Sequence, residues 1–97
     1  MRWIAIFDDD ERMLPVRAAH AAAHLDYLDA HAPEILLGGG LRETPGAAFI
    51  GGLWVLDVAS RERAVALVEG DPYFIHGARR YRLLVWGKAF PERRVVL

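Results

Sequence analysis

The chain has 97 residues, of which 54% are hydrophobic and 26% charged, and its net charge at neutral pH is −1. This balance indicates one folded domain over residues 1–97, and the near-zero charge argues against phosphate-tracking nucleic-acid binding or an anionic membrane partner. The chain contains no cysteine, which excludes a disulfide framework, a thiolate nucleophile and a zinc-thiolate site.

The first predicted element is a short strand over Arg2 to Phe7, with the sequence RWIAIF, which ends in the acidic turn DDDE. This apolar run is too short for a signal peptide. No stretch reaches the roughly 18 apolar residues that a membrane helix needs. We therefore expect a cytoplasmic protein.

The pattern from about Pro15 to His31 predicts a helix, with a proline suited to its first turn and Pro33 just beyond its end. Small and branched apolar residues recur on one side of this helix at the spacing i, i+4, i+7, i+11 and i+14. These residues are Leu14, Ala18, Ala21, Leu25 and Leu28. We expect this stripe to face the core.

Glu34 to Leu41 predicts a second strand that runs into three glycines, and RETPGA is a loop. Ala48 to Val58 gives the strongest strand signal. Gly51 and Gly52 inside it indicate close approach of another backbone or of a ligand, and the structural interpretation is favoured.

A second helix is expected over Arg61 to Glu69, capped by Ser60 and followed by Gly70 in the left-handed C′ position. DPYFIHG then forms a connector with room for one helical turn. Tyr81 to Ala89 is the last strand, and FPERRVVL is a tail. We expect a core over residues 2–90 and a C-terminal tail over residues 91–97.

The element order β-α-β-β-α-β predicts a ferredoxin-like α+β fold, an antiparallel sheet with both helices on one face. The strands carry apolar residues on both faces, whereas two helices cover only one. In the third strand Leu53 and Val55 point one way, and Trp54 and Leu56 point the other. An uncovered apolar face usually marks an interface, so we expect a homodimer packed sheet to sheet as a dimeric α+β barrel. The alternative is that the tail folds across that face.

A second stripe on the first helix is polar and aromatic, and it lies about 100° from the apolar one. It consists of Arg17, His20, His24, Tyr27 and His31. Histidine is the usual general acid or base near neutral pH, so His20 and His24 are candidate catalytic residues. Asp71, the acid of the connector, is a candidate partner that would fix the tautomer of one histidine. His31 and His76 are expected at the surface.

Structural alternatives stand beside this hypothesis. Helix-edge histidines are often only hydrogen-bonded or solvated, and an aspartate before Pro72 commonly serves a turn. His20 and His24 have metal-ligand spacing, but HAAAH lacks the glutamate of the zinc-protease motif and no third ligand is apparent, so no metal is expected. Gly38 to Gly40 do not form a phosphate-loop motif. Arg42 follows them and is a candidate contact for an anionic group, or a solvated loop charge.

Several motifs together resemble the YCII-related (YciI-like) family over residues 2 to 90. They are VRAAH running into HLDYL, then LLGGGL, GGLWVLDV, and DPYF followed by Gly77. The resemblance implies a ferredoxin-like fold, dimeric α+β barrels and a His/Asp pair as active site. The aspartate corresponds to Asp71. The Arg-x-x-His spacing selects His20, whereas the hydrophobic residues that follow match better behind His24, and His20 is slightly preferred.

The favoured hypothesis is an enzyme without metal or organic cofactor that acts on a small cyclic or anionic metabolite by elimination or isomerisation. His20 or His24, oriented by Asp71, would move a proton, and Arg17, Arg42 and Tyr73 would contact the substrate. The alternatives are a non-catalytic module that binds or senses a small ligand, and a purely structural dimer unit.

Overall fold

The computed structural model describes all residues, 1–97, and its elements follow the predicted order with one short helix added. They are β1 (Arg2–Asp8), α1 (Met13–Ala30), β2 (Ile35–Leu41), β3 (Gly51–Asp57), α2 (Arg61–Gly70), α3 (Pro72–His76) and β4 (Arg80–Val85). The last strand is shorter than expected, because the chain leaves the sheet after Trp86, whose N–H still donates to the carbonyl of Arg2.

The four strands form one sheet in the order β2-β3-β1-β4, and every neighbouring pair is antiparallel. This is the predicted ferredoxin-like arrangement, in which the first and third strands are central. A bulge at Leu36 shifts the pairing of β2 with β3. The three glycines of β2 therefore continue as strand beyond the bulge.

The core lies between the helices and one face of the sheet. Alternate strand residues supply one side of it, and α2 supplies the other through Ala64, Leu67 and Val68, all of which are buried. The buried sheet residues are Ala5, Phe7, Ile35, Trp54 and Leu56. The predicted alternation along β1 and β3 thus separates the core face from the opposite face.

The opposite face of the sheet carries no helix. Ile4 pairs with Val55 and Ile6 pairs with Leu53 across its centre. On the outer strands Leu37 is 44% exposed and Leu84 is 47% exposed. The tail borders this surface without closing it: Leu97 lies beside Leu37 and Val55, while Val95, Val96 and Leu97 stay 76–100% exposed.

The orientation of α1 corrects the sequence prediction. Leu14 is 38% exposed and Leu25 is 62% exposed, and the later part of the apolar stripe, Ala21, Leu25 and Leu28, borders a hollow between α1 and the sheet instead of filling the core. The polar stripe packs against α3 and the end of α2, and the α1 residues packed against the core are Tyr27 of the polar stripe and Leu28 of the apolar one. The physical reason is the partner surface: this side of α1 meets α3 and polar groups at the end of α2, which aromatic and imidazole rings match better than alanine does.

The end of α2 also differs from the expectation. Ser60 caps its start as predicted, accepting a hydrogen bond from the Arg63 N–H at 3.1 Å. Gly70, however, is the last helical residue, and the only left-handed residue in the chain is Gly46. Glycine is needed at position 70 for space, because an added Cβ would lie 2.7 Å from the Tyr27 hydroxyl oxygen.

Candidate active site

Asp71 occupies the corner between α2 and α3. Its side chain caps α3 by accepting a hydrogen bond from the Tyr73 N–H at 3.2 Å, and Pro72 takes the first helical position. The residue is fully buried, at 0% exposure. The local sequence therefore explains a turn and a cap here, and burial of the carboxylate calls for a further partner.

That partner is His24. Its Nδ1 lies 2.8 Å from Oδ1 of Asp71, and both side chains are largely buried. The imidazole also stacks on the ring of Tyr73, with centroids 3.8 Å apart and planes 8° from parallel. Two contacts from the α2–α3 corner thus fix the ring, and Nε2 has no hydrogen-bond partner within the protein.

His20 does not contact Asp71. It lies one turn before His24 on α1 and stacks on His76 at a centroid distance of 4.0 Å. The sequence-based preference for His20 as partner of the aspartate is therefore not met, because α3 descends along α1 and brings Asp71 level with the later histidine. His31 packs at an angle against Tyr27, with centroids 4.5 Å apart.

A buried charge network lies beside this pair. Arg79 holds both oxygens of Asp9, with Nε to Oδ1 and Nη2 to Oδ2 each at 3.0 Å. Arg17 reaches the same carboxylate at 3.4 Å and donates to the carbonyl of Gly51 at 2.8 Å. Sequence reasoning named Arg17 but missed Asp9 and Arg79, which are 70 positions apart and share no motif.

The pair and the network border one cavity of about 220 Å³ between α1 and the sheet. Its walls combine aromatic rings, guanidinium groups and bare backbone from the two glycine clusters. The side chains of His24, Arg17, Arg79, Phe49, Trp54 and Tyr73 line it. An added Cβ at Gly38 would approach Trp54 to 3.1 Å, so the glycine strand lets the aromatic wall sit close to the backbone.

The remaining predicted contact, Arg42, does not line this cavity. Its guanidinium lies over the ring of Phe49 at 4.9 Å, and that of Arg17 lies 4.6 Å from the same ring centroid. Tyr73, by contrast, both stacks on His24 and lines the cavity. Of the predicted site residues, His24, Asp71, Arg17 and Tyr73 come together, whereas His20 and Arg42 stand outside.

The electrostatic effect of Asp71 reaches Tyr27. Burial raises the pKa of the Tyr27 phenol, and the charge of the Asp71 carboxylate adds to the rise. The neutral phenol donates to the carbonyl of Leu67 at 2.6 Å. This hydrogen bond anchors α1 to α2 one turn from the imidazole of His24.

The arrangement can do proton-transfer chemistry. An imidazole held through Nδ1 by a carboxylate presents Nε2 as the atom that takes or gives a proton, which is the geometry of an oriented general acid or base. No group of three histidine, cysteine, aspartate or glutamate side chains stands close enough to hold a metal ion. None of the three helices combines the length and the apolar character that a span across a bilayer requires.

Comparisons with known proteins agree with the fold. The model of the YCII-related domain matches residues 1–87. Among solved structures, the chain is similar to the 5-chloro-2-hydroxyhydroquinone dehydrochlorinase of Burkholderia phenoliruptrix, determined in complex with 2,5-dihydroxybenzoquinone. The TM-score is 0.79 at 24% identity, covering 90% of this chain and 94% of the other. No curated protein matches the chain.

Proposed function

Because the chain belongs to the YCII-related family and carries a buried His24–Asp71 pair beside a cavity, we propose that it is an acid/base enzyme of the lyase or isomerase type. Its substrate would be a small cyclic metabolite, and His24 would move the proton while Asp71 orients the ring. The 2.8 Å contact between Nδ1 of His24 and Oδ1 of Asp71 carries this proposal.

The chemistry follows from that contact. A histidine held by a carboxylate at Nδ1 can accept a proton at Nε2 and return it elsewhere on the same ligand. Elimination and isomerisation need one such group and no covalent nucleophile. Positioned proton transfer of this kind is worth about 10²–10⁴-fold in rate.

The walls of the cavity favour a flat ring. Phe49, Trp54 and Tyr73 offer apolar surface, and Arg17 offers a guanidinium to an electronegative substituent. The cavity of about 220 Å³ is small, which suits a single substituted ring. The similar dehydrochlorinase, whose structure holds 2,5-dihydroxybenzoquinone, makes hydroxylated ring compounds the first to test.

The test uses 2,5-dihydroxybenzoquinone for binding and 5-chloro-2-hydroxyhydroquinone for turnover. We expect Asp71→Asn and His24→Gln to lower turnover by about 10²–10⁴-fold, and we expect His20→Gln, the matched control one turn away, to leave it within a few-fold. Equal losses in the two histidine variants would contradict the proposal. Binding without conversion of any ring compound would favour the alternative, a non-catalytic ligand-binding module.

We further propose that the protein acts as a homodimer, packed through the open face of the sheet. The supporting observation is the uncovered apolar surface of Ile4, Ile6, Leu53, Val55 and Leu84, which includes side chains that are nearly half exposed. Soluble monomers rarely leave such a contiguous surface in water.

Light scattering after size-exclusion chromatography checks the assembly. We expect the mass of two chains for the native protein and of one chain for Val55→Asp, since a carboxylate in the centre of that face would be desolvated without a partner. Ile75→Asp is the matched control, because Ile75 is equally apolar and is 61% exposed on α3, away from the open face of the sheet. A native protein with the mass of one chain would contradict the proposed homodimer.

A further inference from the structure

Arg79 lies between two carboxylates and is bonded to only one of them. Nε and Nη2 hold Asp9, while Nη1 stands 3.8 Å from Oδ2 of Asp71, beyond hydrogen-bond distance. The side chain is almost entirely buried, and its guanidinium lies 4.1 Å from the ring centroid of Phe7. These contacts fix the position of the charge.

Asp71 depends on that charge. Its Oδ1 lies 2.8 Å from Nδ1 of His24 and accepts from the Tyr73 N–H, but its buried Oδ2 has no hydrogen-bond partner. A buried carboxylate without a neighbouring cation takes up a proton or draws one to its partner. Arg79 is the only guanidinium within ion-pair distance of it.

Either outcome would change what His24 offers to the cavity. A protonated Asp71 would donate to Nδ1 of His24, which would leave the ring proton on Nε2. A doubly protonated imidazole would likewise carry a proton on Nε2. Only an Asp71 carboxylate that accepts from Nδ1–H of a neutral ring leaves a lone pair on Nε2.

We propose that Arg79 is the positioning residue that keeps Asp71 ionised, so that His24 rests with its proton on Nδ1 and acts first as a base. This inference rests on the proposed function and adds to it the direction of the first proton transfer, from the ligand to His24. Nε2 takes a proton from the bound ligand, the ligand keeps the electron pair of the broken bond, and the new N–H bond forms on His24. The ligand anion and the imidazolium then balance each other.

The charge count of the surroundings supports this direction. Asp71 and Tyr73 face the imidazole from the α2–α3 corner, Arg17 and His20 lie on its own helix, and Arg79 precedes β4. Asp9 lies behind Arg79, and Tyr27 lies one turn beyond His24 with its neutral phenol on the carbonyl of Leu67. Two carboxylates and two guanidinium groups sum to zero around a neutral imidazole, so a proton that moves from the ligand to the ring leaves a ligand anion opposite the imidazolium.

Asp9 restrains the guanidinium of Arg79. By holding two nitrogens of the guanidinium, it keeps Arg79 from advancing to hydrogen-bond distance of Asp71. Such a hydrogen bond would compete with His24 for the carboxylate. The tether therefore lets Arg79 supply charge while the hydrogen bonds of Asp71 stay with the imidazole and the α3 cap.

The test replaces the charged pair by an uncharged one. Asp9→Asn with Arg79→Gln removes both charges and keeps amide groups of similar size, and Arg79→Lys keeps the charge without the fork. Long-range ¹H–¹⁵N NMR of the imidazole at about pH 8, above the ordinary histidine range, reports which ring nitrogen carries the proton. Asp10→Asn with Arg12→Gln is the matched control, since this surface pair is also bidentate.

We expect Nε2 of His24 to be unprotonated in the native protein, in Arg79→Lys and in the surface control, and protonated in the double variant that lacks both buried charges. Turnover should fall at least about 100-fold in that double variant and less than about 10-fold in Arg79→Lys. An unchanged Nε2 signal in the double variant, or a protonated Nε2 in the native protein, overturns the role of Arg79. Because the NMR signal needs no substrate, absence of turnover would count against the proposed function alone.

Discussion

Gly70→Ala, alone and combined with Tyr27→Phe, tests how the helix that carries His24 is held. Alanine at a helical position gains about 0.5–1 kcal/mol over glycine. Here the added Cβ would lie 2.7 Å from the Tyr27 hydroxyl oxygen and 3.4 Å from the ring carbon that bears it. Such overpacking costs about 1–3 kcal/mol. We therefore expect Gly70→Ala to destabilise the protein by about 1 kcal/mol despite the better helix former.

Removal of the Tyr27 hydroxyl should reverse the sign of the stability change that Gly70→Ala causes. Tyr27→Phe loses the 2.6 Å hydrogen bond to the carbonyl of Leu67, at a cost of about 0.5–1.5 kcal/mol. In that background the methyl group added at position 70 meets only two ring carbons, at 3.4 and 3.6 Å, which is ordinary contact, so the helix-propensity gain dominates. We expect Gly70→Ala to be neutral or stabilising there, with a coupling energy of at least about 1 kcal/mol between the two positions.

The measurement is urea unfolding followed by tryptophan fluorescence, for the native protein, both single variants and the double variant. Variants of independent sites add to within about 0.3–0.5 kcal/mol. Additivity at that level would mean that the Tyr27 ring does not lie against the end of α2. Tyr27 lies three residues after His24 on α1, so the position of His24 beside Asp71 would then lack one of its supporting contacts.

Three further results are expected. Burial and then the Glu69 carboxylate raise the pKa of Tyr81 from 10.0 to about 12. The neutral phenol therefore stabilises the fold fully below pH 10, and this contribution is lost as the pH rises towards 12. In Glu69→Gln, ultraviolet titration should show the phenol ionising closer to its ordinary range. Ser60→Ala should cost about 0.5–2 kcal/mol of unfolding free energy in the same urea experiment, because one N–H of the first turn of α2 loses its acceptor. Gly77→Ala should cost about 1–3 kcal/mol or more and weaken ring-compound binding, since its Cβ would overlap the sulfur of Met13 and push α3 away from α1.

The chain offers a control for the last of these, and the other two have results that would contradict them. Gly87→Ala introduces a methyl group with no atom within 4 Å, away from the cavity, so it should not reproduce the effect of Gly77→Ala. A Tyr81 ionisation that does not respond to Glu69→Gln would contradict the 2.6 Å hydrogen bond between these side chains. An unchanged stability in Ser60→Ala would show that the cap of α2 is supplied from elsewhere.

Local signals were sufficient for most of the architecture. The alternation in β1 and β3, the cap at Ser60 and the Asp71–Pro72 turn each act within a few residues, and the helices and strands lie near their predicted bounds. The resemblance of the chain to the YCII-related family was also visible in short motifs, and the family model confirms it. These features depend on neighbours along the chain, which is what a sequence displays directly.

The orientation of α1 could not be obtained in that way. Periodicity identified two stripes, and hydrophobicity selected the stripe that contains Leu25, which is 62% exposed beside the cavity instead of buried in the core. The choice depends on what α1 packs against, and that surface is built from Asp71 and Tyr73, more than 40 residues later in the chain. A helix that borders a polar cavity buries its imidazole and phenol rings, so a rule that places apolar residues inward fails at such a helix.

The choice between His20 and His24 has the same origin. Both histidines lie on the inward stripe and differ by one turn, so only the register of α3 against α1 separates them. That register is set at Gly77, where the close approach of Met13 leaves no room for a side chain, and α3 then runs back along α1 with His76 against His20 and Tyr73 against His24. The cap that Asp71 forms on α3 therefore also brings its carboxylate to His24. Because α3 fits against α1 in one register only, a turn residue becomes the orienting group of the proposed active site.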